Sequence, residues 1–354
     1  MAMSAIVGIR HPRVTSPVSA DASIEDRCGR SLRLPPPDAM TLLNVPDIAN
    51  FMAVSRQPEN ILSGYEFNDL TVRDGLLAHV FPALLQNGRS IGRLPGISSV
   101  ETILHSETDI VFDWSFRAPE FAAYGIWAAC VSTYATEESL FENVRLYARA
   151  LHSEAQGEKL ISTYRAEMTK LAAAPVGAGE PPKVLAMTGR GNGRFSATNN
   201  PSFTRLLTLA GARNARADNA LPGLFDAEAL FLMDPDIIVI DETGVSQPPL
   251  TPQFFYDSPE WKSLRAVRSR SIYVRPYGTS LYFTGIVDTP LYGKWLRGLV
   301  HAQKSDAPAS LRPDIEAGYK EALDYALTKA EIDDLLKVTL NRDSRGYASL
   351  ATAQ

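Results

Sequence analysis

The chain has 354 residues, of which 45% are apolar and 21% charged, ordinary values for a globular protein with room for two domains of roughly 100–200 residues each. Its formal net charge of −5 supplies no basic field, which excludes nucleic acid and anionic membrane as electrostatic partners. No run of about 18 apolar residues is present, so no bilayer-spanning helix is expected. The two cysteines, Cys28 and Cys130, exclude a disulfide scaffold and a cysteine-built zinc site. They leave room for at most one bridge and are read as two free thiols.

Residues 1–23 are rich in Ser, Pro and Ala without periodicity and read as a flexible leader. Their apolar stretch, Ala5 to Ile9, is shorter than the about 7–15 residues of an export signal, so no such signal is visible. Asp26 to Leu34 predicts a short hairpin around Gly29, ended by three prolines. Residues 24–152 then read as a first α/β unit, with short apolar runs alternating with helical patterns.

A long helix is predicted over 153–174. Ser153 and Gln156 match a capping box, and Leu160, Ile161, Tyr164, Met168 and Leu171 recur at helical spacing. Some 20 residues at ~1.5 Å each make a rod of roughly 30 Å. Gly157 weakens its first turn. A Gly/Pro-rich stretch to Pro182 separates this helix from a second α/β unit, 183–305. Residues 306–340 hold two short helices, the first capped by Asp314 and the second by the pair Thr328 and Glu331. Ile332, Leu335 and Leu336 form the apolar face of the second; residues 341–354 read as a tail.

An internal repeat carries the most information. Glu101-Thr-Ile-Leu-His-Ser-Glu-Thr-Asp109-Ile-Val-Phe parallels Glu228-Ala-Leu-Phe-Leu-Met-Asp-Pro-Asp236-Ile-Ile-Val. Each copy has a glutamate on a short helix, an acidic turn and a buried strand, with the same Glu-to-Asp spacing. These segments resemble the paired "E-x-x-L-x-L-x-P-D-x-V" segments of periplasmic substrate-binding proteins in the siderophore, haem and cobalamin class of ABC importers. Asp26 to Pro35 resembles that class's opening hairpin, and Leu207 to Asn214 its "L-x-x-A-G-G-x-N" segment. Ser258 to Val274 resembles its "W-x-x-l-x-A-V" segment. Pro290 to Leu296 and the helical tail resemble the subgroup that handles iron complexes or molybdate.

The resemblance implies two α/β lobes, each a mainly parallel sheet flanked by helices, bridged by one long helix, with the ligand cleft between them. It implies a monomeric solute-binding component in the periplasm or cell envelope that captures a metal chelate, such as a ferric siderophore, and delivers it to a membrane permease with its ATPase. Glu101 and Glu228 match the lobe-tip glutamates that dock onto permease arginines, a two-point electrostatic register. Read singly, each is a first-turn glutamate favoured by the helix dipole.

Candidate ligand residues are Tyr65, Trp114, Arg117, Arg190, Arg194, Tyr277 and Tyr282. Guanidinium groups suit anionic chelates because they stay charged and donate in a planar fork, and aromatic rings wall the organic part. No cofactor and no bare-metal site is expected. The histidines (His11, His79, His105, His152 and His301) are scattered, whereas naked zinc or manganese calls for clustered ligands. The Gly189-x-Gly191-x-Gly193 loop lacks the spacing of a nucleotide fingerprint. Enzymatic readings fare poorly: two isolated cysteines cannot hold a redox cluster, and no Gly-x-Ser-x-Gly elbow is present. The alternatives kept open are molybdate or another oxyanion, haem or cobalamin on the same fold, and a non-transport interaction or redox protein.

Overall fold

The structure is a computed structural model. It describes residues 23–33, 40–42, 45–56, 61–64, 76–82, 89–90, 100–104, 110–114, 118–124, 127–132, 136–174, 179–198, 201–216, 223–241, 249–280, 285–303 and 309–352. Tyr65, Arg117 and Tyr282, with Asp109 of the first repeat, lie outside them.

The chain opens with the hairpin β1 (Ser23–Glu25) and β2 (Ser31–Arg33), then β3 (Met40–Leu42), α1 (Val45–Ser55), β4 (Ile61–Gly64), α2 (Leu76–Val80) and β5 (Arg89–Ser90). It continues through α3 (Val100–Leu104), β6 (Ile110–Trp114), α4 (Ala118–Ala123), β7 (Ala128–Val131) and α5 (Glu137–Ala150). Strands β3 to β7 form one parallel sheet in the order β5-β4-β3-β6-β7. Helix α6 (Glu154–Ala173) follows.

The second lobe runs β8 (Lys183–Gly189), β9 (Phe195–Ala197), α7 (Pro201–Ala210), β10 (Arg213–Asn214), β11 (Leu224–Phe225), α8 (Ala227–Met233) and β12 (Ile237–Ile240). Then come α9 (Pro252–Tyr256), α10 (Arg265–Arg268), β13 (Ile272–Val274) and α11 (Asp288–Gln303). Its sheet has the order β11-β9-β8-β12-β13, with β10 also on β8. Strands β8, β12 and β13 are parallel, while β9 returns antiparallel on β8. The two repeat strands, β6 and β12, thus sit in separate sheets. Four helices close the described chain: α12 (Arg312–Leu323), α13 (Lys329–Leu335), α14 (Val338–Asn341) and α15 (Tyr347–Ala351).

Helix α6 is continuous across the region between the lobes and buries Leu160, Ile161, Tyr164, Met168 and Leu171. That face merges the cores of both lobes: one apolar cluster contains Phe51, Phe112 and Tyr147 of the first lobe and Phe203, Tyr273 and Trp295 of the second. Gly157 is not a weak point in this helix. A Cβ there would lie 2.7 Å from the Ala148 Cβ of α5, so its absence permits the close approach of two antiparallel helices. The predicted capping box at Ser153 is absent. The Ser153 hydroxyl turns back to the Leu151 carbonyl at 3.2 Å, and the Gln156 amide donates to the Ala53 carbonyl at 3.1 Å, tying α6 to α1.

The second repeat explains its own acids. Asp234 and Asp236 grip the guanidinium of Arg265 at 2.7 Å and 2.6 Å. Asp236 also accepts the Lys183 backbone N–H at 2.8 Å, which fixes the start of β8 beside that of β12.

Several local expectations need correction. Asp314 does not cap α12; it lies inside the first turn, after Pro313, and binds the Lys294 ammonium at 2.5 Å. Thr328 and Glu331 do form a reciprocal capping box. Residues beyond 340 are not a loose tail. Tyr347, Leu350 and Ala351 are buried, and the Trp295 indole N–H donates to the Tyr347 phenol at 3.1 Å. Apolar residues spaced for one short helical turn are too few to show as a periodic segment, so the packed end passed as a tail.

Cys28 and Cys130 are not free thiols: they form a disulfide with Cα atoms 5.8 Å apart, closing a separation of 102 residues. The reason is that the β1–β2 hairpin docks on edge strand β7. Buried Asp26 accepts the backbone N–H groups of Cys28, Arg30 and Cys130 at 2.9–3.0 Å and the Arg30 guanidinium at 2.7 Å. Arg30 in turn donates to the Ala128 carbonyl at 2.5 Å. Burial opposes the Asp26 charge, but those donors outweigh it and hold the carboxyl below its ordinary value. Replacing both cysteines by Ser should lower the unfolding free energy by about 2–4 kcal/mol, read by urea denaturation. Thiol titration of the native, unreduced protein should find neither cysteine reactive; two reactive thiols would refute the bridge.

Candidate functional site

In open parallel sheets the strand order reverses at a switch point, and ligands bind beyond the carboxyl ends of the strands there. The first sheet reverses between β3 and β6, the second between β8 and β12. The residues that follow these strands are therefore the candidates for ligand contact.

Trp114 ends β6 at the first switch point, half-buried and packed on the core shared by both lobes. In the second lobe, β8 runs into a tight turn, Arg190 to Arg194, before β9 returns. Gly191, Asn192 and Gly193 all have positive φ, between 51° and 76°. The glycines there serve backbone geometry, and the turn needs no phosphate to explain it. The Arg190 guanidinium donates to the Ser196 hydroxyl at 2.7 Å, and its backbone N–H to the Arg194 carbonyl at 2.9 Å. Both arginines are exposed. The turn therefore presents two guanidinium groups beside the switch point on a short, hydrogen-bonded arm.

Next to it, β12 ends in Asp241 and β13 in Arg275. Arg275 is only 3% exposed, and its Nε and Nη2 donate to Asp241 Oδ1 at 3.1 Å and 2.6 Å. Burial works against the guanidinium charge, but the Asp241 carboxylate outweighs it and drives the Arg275 pKa up. Tyr277 lies over this pair: its ring is 4.7 Å from the Arg275 guanidinium carbon, and its hydroxyl donates to Asp241 Oδ1 at 3.4 Å. The Thr188 hydroxyl donates to the Asp241 carbonyl at 2.8 Å, locking β8 to β12 across the switch point. Neighbouring strands are about 4.8 Å apart. The Arg190 turn, Asp241 and the Arg275–Tyr277 pair thus stand in a row along one sheet edge.

A groove of about 510 Å³ lies where the lobes meet, along α6 and between the starts of α5 and α7. Glu137 crosses it: the carboxylate accepts the Tyr164 hydroxyl of α6 at 3.1 Å and pairs with Arg205 of the second lobe. Elsewhere the Asn50 side chain accepts the Ile286 N–H at 2.8 Å. The Arg56 guanidinium donates to the Ala322 carbonyl at 3.0 Å, and His79 meets Glu331 at 3.2 Å. The lobes are joined by polar ties as well as by the core.

Of the seven candidates, the structure brings Arg190, Arg194 and Tyr277 to one sheet edge and puts Trp114 at the corresponding edge of the other lobe. Asp241 and Arg275 were missed in the sequence. Their signal was there: each is a charge directly after a short buried strand, Ile237–Ile240 and Ile272–Val274, and the charges are opposite. Glu101 and Glu228 are both exposed in the first turns of α3 and α8. In the chain α3 precedes β6 and α8 precedes β12. Among the described residues, the one His/Cys/acid cluster that could hold a metal is Asp26, Cys28 and Cys130, and its sulfurs are consumed by the disulfide. No helix of the described residues is long and apolar enough to cross a membrane.

The architecture is that of a two-lobed solute receptor. The family model for periplasmic binding proteins matches residues 100–277, half of the chain, and the chain belongs to that family. It is a binding protein and not an enzyme. Among solved structures, a periplasmic solute binding protein from Veillonella parvula shares 22% identity over 91% of this chain and 98% of its own, with a TM-score of 0.77. The molybdate periplasmic binding protein MolA of Haemophilus influenzae shares 16% over 87% and 99%, with a TM-score of 0.68. CeuE of Helicobacter pylori, in a Ni-His complex, shares 17% over 89% and 99%, also at 0.68. No curated protein matches the sequence.

The buried pair supplies a stability test. Arg275→Met leaves the Asp241 carboxylate in a largely buried place with only the Tyr277 hydroxyl, and should cost about 3–5 kcal/mol in urea or thermal unfolding. A loss below about 1 kcal/mol would mean that water reaches the pair freely.

Proposed function

We propose that this protein is the receptor of an ABC importer for an anionic metal chelate, held between the lobes and passed to a permease. The observation that carries the reading is the Arg190–Arg194 turn: two exposed guanidiniums on a hydrogen-bonded turn at the switch point of the second lobe. Fixed planar donors at a strand-end crevice suit a ligand with peripheral carboxylates or other oxyanions. On this reading Trp114 and Tyr277 flank the chelate's organic rim; Arg117, Tyr65 and Tyr282, outside the described residues, are proposed as further ligand contacts.

The ties between the lobes support a cleft formed before the ligand arrives. Affinity then comes from complementarity rather than from closure, which favours a bulky, pre-assembled ligand. A ferric siderophore-like complex is the ligand proposed. Its location is the periplasm, and a disulfide is at home in that oxidising space. Tryptophan fluorescence titration with a ferric chelate should show saturable quenching, with Trp114 as the reporter. Arg190→Ala with Arg194→Ala should weaken it by about tenfold or more, since each charge-assisted bond contributes about 1.5–3 kcal/mol. Saturable binding of molybdate with no response to any chelate would replace this reading with the oxyanion one.

Docking is proposed to use Glu101 and Glu228, one on each lobe, against basic groups of the permease. The double change Glu101→Ala and Glu228→Ala should reduce uptake in cells by at least tenfold while the purified protein keeps its ligand affinity. Normal uptake by the double variant would remove this assignment.

A further inference from the structure

The C-terminal edge of the second sheet carries a carboxylate beside its arginines, and this sets a condition on the ligand. Asp241 Oδ1 receives all three protein donors that reach the side chain: Arg275 Nε, Arg275 Nη2 and the Tyr277 hydroxyl. Oδ2 receives none from the described residues. The side chain is 13% exposed, so a small part of the group remains open at the edge where β12 ends. Its backbone is locked on both sides, by the Asp241 N–H donating to the Met187 carbonyl at 2.8 Å and by the Thr188 hydroxyl on its own carbonyl. The carboxylate cannot easily turn away. Rotation would trade three donors on Oδ1 for the same three on Oδ2 and leave one oxygen facing out as before.

We infer that Asp241 is a specificity residue of the ligand site, offering Oδ2 to a nitrogen donor on the ligand. This rests on the proposed chelate reading and narrows it. The arginine turn calls for acceptors on the ligand, and Asp241, at the end of the neighbouring strand, calls for an N–H beside them. Both demands are met by a chelator of amino-acid type, with a carboxylate for the turn and an amine or imidazole N–H for Asp241. A ligand bearing only acceptors, such as molybdate, would set lone pairs against lone pairs at this position, and burial makes such a mismatch costly. The internal pair with Arg275 holds the carboxylate in position, so its geometry is in place before binding.

The test is isothermal titration of the full chain with four probes: the nickel(II)–histidine complex, histidine alone, ferric citrate and molybdate. Wild type should bind the nickel–histidine complex at least tenfold more tightly than ferric citrate and should not bind molybdate. Asp241→Asn keeps an oxygen for Arg275 and turns an N–H₂ outward. It should weaken the nickel–histidine complex at least tenfold and tighten ferric citrate, whose acceptors then meet a donor. Thermal unfolding of the variant checks its fold, and the wild-type ranking stands as a test should the variant fail to fold. If ferric citrate binds best and Asp241→Asn changes nothing, the Asp241 assignment falls and the chelate reading survives. If histidine alone binds as tightly as its nickel complex, and Asp241→Asn abolishes both, Asp241 stands and the chelate reading falls. Binding of molybdate by wild type, or of no probe at all, overturns both.

Discussion

Everything in this molecule that concerns two lobes depends on the packing of one helix on both sides. Helix α6 lies against α5 and α1 of the first lobe and against α7 and α11 of the second. Two glycines set those distances. Gly157 lets α5 approach, and Gly293 of α11 does the same against Leu171, where a Cβ would lie 2.5 Å from the leucine Cδ2. Such contacts are not easily slid, because close-packed interiors do not deform continuously. On the proposed function, such a receptor gains its affinity from a surface formed before the ligand arrives rather than by swinging shut around a small ion. The hydrogen-bonded groups at the strand ends suit that reading.

The same constraint explains which parts were legible in the sequence. Helix α6 announced itself through Leu160, Ile161, Tyr164, Met168 and Leu171, because a long helix half-buried in core must show a 3.6-residue period. The repeat around Glu101 and Glu228 showed because each lobe needs one buried strand at its switch point and one helix leading into it. What stayed hidden was long-range. Nothing local distinguishes Ser153 with Gln156 from a capping box, yet Gln156 reaches instead to Ala53. Nothing local pairs Cys28 with Cys130, since their meeting depends on the hairpin lying along β7.

The site was legible to the extent that its chemistry sits in turns. Arg190 and Arg194 drew notice because they punctuate a glycine-rich loop. Tyr277 was found as an aromatic near a strand end, but its neighbours were not. A lone Asp after Ile-Ile-Val-Ile and a lone Arg after Ile-Tyr-Val look like ordinary ends of buried strands. Only the parallel register of β12 with β13, Ile240 opposite Val274, sets the two charges side by side. Pairing then changes what each can do: alone, either would be a costly buried ion, whereas together they form a neutral, rigid unit with one oxygen left over.

The first lobe carries the matching device at its outer edge. Asp26 gathers three backbone N–H groups and one guanidinium, and the disulfide fastens the same hairpin to β7. An edge strand is otherwise a template for unwanted pairing. Here it is covered by a hairpin that cannot peel off without breaking a covalent bond and stranding a buried carboxylate. The two anchored acids divide the work. Asp26 has every donor it needs inside the protein and is finished as a structural group. Asp241 is held as firmly but keeps one oxygen uncommitted at the strand-end crevice. Under the proposed reading, that remaining valence is where discrimination between ligands would reside.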